Sequence, residues 1–149
     1  MLLTENDMQA SNIAHYILSK LGGMTAMKLQ KLLFYCQAWS LVWDDRPMFN
    51  EKIEAWANGP VIPEIYALHR GQFSVSKENF GTGDYTLDAE ATDTIDVVLK
   101  SLGDKSGHWL SELTHSEAPW IDARVGMTLS QRGNVEITQS AMLEYYQSI

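Results

Sequence analysis

The segment from Ala26 to Trp43 limits the possible folds more than any other part of the chain. Wound as a helix, it places Leu29, Leu32, Leu33, Cys36, Trp39 and Trp43 on one face, while Phe34, Tyr35, Ala38, Leu41 and Val42 cover most of the remainder. Only Gln30, Lys31 and Gln37 leave a polar strip. A helix apolar on nearly every side must sit in the middle of a domain with other elements around it. Thr25 can cap its first turn, because a Thr oxygen satisfies an orphan N–H there, and Asp44-Asp45-Arg46-Pro47 ends it.

The flanking patterns supply the surrounding layer. Ala10, Ile13, Ala14, Ile17, Leu18 and Leu21 form one stripe of a helix from about Asp7 to Leu21, which Gly22-Gly23 ends. Pro63 opens a further helix, with Glu64 at its positive end and Arg70-Gly71 closing it. Ala91, Ile95, Val98, Leu99 and Leu102 predict a helix over 88–102, with Asp96 and Lys100 spaced as an i, i+4 pair. Ser106 can cap a helix carrying Trp109, Leu110 and Leu113; Pro119 opens a short turn, and a last helix starts near Thr138. Residues 72–87 and 125–135 read as loops. Ile53–Ala57 alternates as a short strand, and Met48-Phe49 can pair with it across Asn50-Glu51. The expectation is one mainly α domain over 1–149: about six helices around a central apolar helix, with a small β-hairpin.

Chemistry-bearing motifs are sparse. Gly81-Thr82-Gly83 is too short for a phosphate cradle, and no histidine pair has zinc-protease spacing. His108, Glu112 and His115 can share one helical face, which keeps a metal-dependent hydrolase as an alternative; a solvated histidine face is the simpler reading. Cys36 is the only cysteine, and its apolar neighbours predict a buried, unreactive thiol rather than a disulfide or nucleophile. The chain carries 19 acidic and 11 basic residues, a net charge of −8, with no basic run. Such a surface repels phosphate backbones, so direct nucleic-acid binding is not expected, and it speeds encounter with a basic protein. Met1–Asp7 lacks a signal-type pattern and no apolar run reaches the ~20 residues of a membrane span, so a cytoplasmic protein is expected. No metal or cofactor is expected.

Three segments together are more specific. Thr25–Ala38, with Lys28-Leu29-Gln30-Lys31-Leu32-Leu33 at its heart, resembles the central helix of the Panacea domain of SocA-like antitoxins and GepA-like phage-associated proteins. The similarity continues in Ile53–Tyr66, around Trp56-Ala57-Asn58-Gly59-Pro60, and in Leu110–Trp120. The resemblance runs from about residue 8 to the end; on this reading the DNA-binding region that some members carry ahead of the domain is absent. It implies a non-enzymatic antitoxin that binds and neutralises a cognate protein toxin, and some relatives also hand the toxin to a bacterial protease. A phage or host regulator that binds another protein without a toxin is the second alternative.

The candidate partner-binding residues are Lys28, Gln30, Lys31, Gly59, Pro60, Glu64, Tyr66, Glu90, Asp93, His115 and Trp120. Each has a structural alternative. Lys28 and Lys31 can be a solvated helix edge, Trp56 can pack inward while Gly59-Pro60 redirects the chain, and Glu64 can serve its helix terminus. Trp120 can be a core plug whose indole N–H meets a carbonyl.

Overall fold

The computed structural model describes residues 8–149. Met1–Asp7, where the sequence places the start of the first helix, lie outside them. Helix α1 (Ala10–Leu21) is followed by strand β1 (Met24–Thr25), the central helix α2 (Ala26–Trp43), strands β2 (Ile53–Trp56) and β3 (Gly59–Val61), helix α3 (Pro63–His69) and strand β4 (Ser74–Val75). A 3₁₀ turn (Lys77–Phe80) leads to α4 (Ala89–Leu102), α5 (Gly107–His115), α6 (Ala118–Ala123), β5 (Glu136–Ile137) and α7 (Gln139–Tyr146). Among the described residues there are thus seven α-helices and two small antiparallel sheets, and no helix is long and apolar enough to cross a membrane.

Local signals set the helix ends. Thr25, Asp88, Ser106 and Thr138 each accept the backbone N–H three residues on, at 2.9–3.1 Å. Each such bond satisfies a donor that the first helical turn leaves open. Helix α2 sits at the centre, packed by α1, α4, α5 and α7. Leu29, Leu32, Leu33 and Cys36 are fully buried, and burial pushes the Cys36 thiol well above its ordinary pKa. The helix emerges at its end, where Trp43 is exposed and stacks on Trp39 at 4.9 Å.

Four expectations are corrected. Strand β2 pairs with β3, through Ala55 and Pro60, and with β5, through Ile53 and Ile137; Met48-Phe49 is not its partner. The reason is Gln37: its Oε1 accepts from Met48 N (2.7 Å) and Phe49 N (3.2 Å), and its Nε2 donates to Phe49 O (2.8 Å), which removes those groups from any ladder. Trp56 is half-buried on the outer face, because Ile53 and Ala55 take the inward positions of a period-two strand. Gln30, Lys31 and Gln37 form no solvated strip: all are buried and hydrogen-bonded. Asp96 meets Tyr16 Oη (2.8 Å) and Lys20 Nζ (3.7 Å) on α1, rather than Lys100.

Candidate functional site

The polar residues of α2 hold three other parts of the chain. Lys28 Nζ donates to Gly103 O at 2.6 Å, tying α2 to the α4–α5 junction. Gln30 Oε1 accepts from Ile62 N (2.9 Å) and its Nε2 lies 3.1 Å from His69 Nε2, which fixes both ends of α3. Burial lowers the His69 pKa and favours the neutral ring that can accept this bond. Lys31 Nζ donates to Pro60 O at 3.1 Å. From the other side, Ser111 Oγ donates to Asn58 O and Trp120 Nε1 to Trp56 O (2.8 Å). Gly59 takes φ +120°, and a Cβ there would overlap Lys31 Cε. The three sequence segments therefore close on one turn, Trp56 to Pro60.

Beside this turn opens a cleft of about 450 Å³, with Gln30 and Lys31 on its floor and Trp56, Tyr66, His69 and Arg132 around it. The Arg132 guanidinium lies 4.0 Å from the Trp56 ring centre, and Tyr66 meets Trp56 edge-on at 5.0 Å. Arg124 positions Arg132: its buried guanidinium donates to the carbonyls of Ala55, Thr128, Gln131 and Arg132. Desolvation alone brings Lys31 down to about 7. A second groove of about 350 Å³ lies between α2, α4, α5 and α7. At its base Tyr35 and Tyr146 hydroxyls both donate to Glu117 Oε1, at 2.6 and 2.7 Å, and burial raises the Glu117 pKa despite these bonds.

The predicted residues divide accordingly. Lys31, Gln30, Gly59 and Pro60 are interior, Lys28 is half-buried, and Tyr66 walls the cleft. Glu64 and Asp93 are exposed; Glu90, also exposed, lies 3.1 Å from Arg46 Nε. His115 stacks on Trp120 at 3.9 Å, and burial lowers its pKa. Trp120 is buried with its indole on a carbonyl. His108 and Glu112 face solvent, and among the described residues no three His, Cys, Asp or Glu side chains gather as a metal set. Sequence reasoning missed His69, Glu117, Arg124 and Arg132. The partners of His69, Glu117 and Arg132 lie far away along the chain, and Arg124 acts on backbone carbonyls, which no side-chain pattern marks.

A model of the family described as antitoxin SocA-like, Panacea domain, matches residues 29–121. The chain is 28% identical over 127 residues to antitoxin SocA of Caulobacter vibrioides (strain NA1000 / CB15N), an alignment covering 74% of this chain and 68% of that protein. No solved structure matches it.

Proposed function

Because this chain belongs to the SocA-like antitoxin family that shares the Panacea domain, we propose that it is an antitoxin which binds a cognate protein toxin and neutralises it by occlusion, with no bond chemistry of its own. The family match over 29–121, which takes in nearly all of the three converging segments, carries the reading. The burial of those segments supports a particular version of it. Most of the motif's polar atoms are used inside the domain, as Lys31 and Gln30 are, so they build the scaffold and the toxin meets side chains around it.

The test is co-expression with the product of the adjacent gene. That product should arrest growth alone and be harmless beside this protein in stoichiometric amount. Persistent arrest, or no arrest in its absence, would sink the antitoxin reading. The toxin's half-life in the same cells separates two routes: an unchanged half-life means occlusion, and a shortened one means delivery to a protease.

A further inference from the structure

The geometry points to the cleft between α2, the β2–β3 turn, α3 and residues 130–132 as a binding site for a carboxylate carried on an apolar body. This goes beyond toxin neutralisation and does not depend on it. The floor is Lys31, 1% exposed, whose ammonium can donate three hydrogen bonds and makes one, to Pro60 O. A buried cation without a counter-ion is costly, and an anion placed beside it recovers much of that cost. Among the described residues no acidic side chain lines this cleft. Glu54, the acid on β2, is turned to the Trp56 indole N–H at 2.8 Å.

At the mouth, Arg132 is exposed and its guanidinium makes no ion pair among the described residues. It lies over the Trp56 ring, 4.0 Å from its centre, and a guanidinium so placed can still donate N–H groups to a carboxylate. Trp56, Tyr66, Met27 and Val61 offer apolar walls for the ligand's body, and the volume lies in the range of small-ligand pockets. One buried ammonium suits a monoanion. A phosphate chain needs a cradle of backbone N–H groups, and no glycine-rich loop lines the cleft.

The arrangement has a pH signature. Burial brings Lys31 down to about 7, so a carboxylate must draw a proton to it at higher pH. The titratable groups around it are His69 on α3 and His115 on α5, both lowered from 6.5 and so neutral above that pH. The Arg132 guanidinium, before β5, lines the cleft. Glu54 and Lys28 are engaged with Trp56 and Gly103. Between pH 7 and 9 the change therefore reports Lys31.

Titration calorimetry of the full chain would use 3-phenylpropionate, N-acetylphenylalanine and N-acetylphenylalaninamide as probes. Both acids should bind at about 1 mM or tighter, and the neutral amide at least about tenfold more weakly. Affinity for the acids should fall on the order of 50-fold from pH 7 to 9, with proton uptake seen as heats that vary with the buffer. Lys31→Met should lose the binding. Arg132→Gln, at an exposed position, should weaken it severalfold and keep the pH dependence. Preference for N-acetylphenylalanine over 3-phenylpropionate assigns the site to the C-terminus of a polypeptide, and equal binding assigns it to a small acid. The proposal is overturned if neither acid saturates the protein, if the amide binds as well, or if affinity is flat from pH 7 to 9.

Discussion

At Gly59 the backbone occupies a region that L side chains rarely adopt, and the added Cβ of any other residue would run into the Lys31 stem. Gly126 also has positive φ (+89°) but open space around it. Replacing each by Ala separates the two effects. Gly126→Ala should cost about 1 kcal/mol of backbone strain, and Gly59→Ala roughly 2–4 kcal/mol, because the packed lysine must also move. Urea titration of both variants checks this; equal losses would mean that Lys31 yields freely. Lys31 carries a second prediction. Its pKa falls from 10.5 in the unfolded chain to about 7 in the folded one, so between those values the unfolded state binds more protons. Stability from this group is therefore fullest above pH 10.5, declines as pH falls, and levels off below about 7. The stability of the wild type relative to Lys31→Met should rise from pH 7 to 9.5 in parallel denaturant titrations, and a constant difference would place the amine in water. Read from sequence, Lys28 and Lys31 are a pair three residues apart on one helix edge. The chain's return at Pro60 and Gly103 decides their fate, and helical spacing carries no trace of it.

Single elements were most legible where their causes are local. The caps at Thr25 and Ser106 need only one side chain and the turn that follows it, and both are made. Strand pairing was not legible, since Gln37 lies on α2 and claims the backbone of Met48 and Phe49 eleven and twelve residues on. Gln37→Leu keeps the volume roughly and orphans those groups. Each buried orphan costs about 1–3 kcal/mol, so the variant should lose more than about 2 kcal/mol in total. The Met48 and Phe49 amides should also lose protection in hydrogen exchange while the α2 amides keep theirs until global unfolding. Unchanged protection there would show that the segment is held by its side chains instead. Helix α7 depends on the same kind of distant partner: Tyr146 is fixed through Glu117, which nothing in the apolar pattern of residues 138–149 announces.

For the whole molecule, an almost uniformly apolar helix admits few solutions, and the observed one wraps α2 as its pattern requires. Charge is where this scale adds something that no element shows. The net charge of the chain is −8, and its exposed acids differ in availability. Asp88 and Glu90 are both turned to Arg46, at 2.7 and 3.1 Å, and Asp88 also caps α4, so removing either disturbs the helix start. Glu64 and Asp93 are exposed and make no ion pair among the described residues, so their charge projects fully into solvent. If a basic toxin is steered by this field, association should slow as the screening length shrinks from about 10 Å at 0.1 M salt to about 3 Å at 1 M, while dissociation changes little. Glu64→Gln with Asp93→Asn should slow association severalfold at low salt and flatten its salt dependence, leaving the urea midpoint within about 0.5 kcal/mol of wild type. Stopped-flow mixing with the toxin across a salt series measures both slopes. Identical association rates for the two proteins at every salt concentration would show that the acidity serves solubility and that apolar contact alone selects the partner.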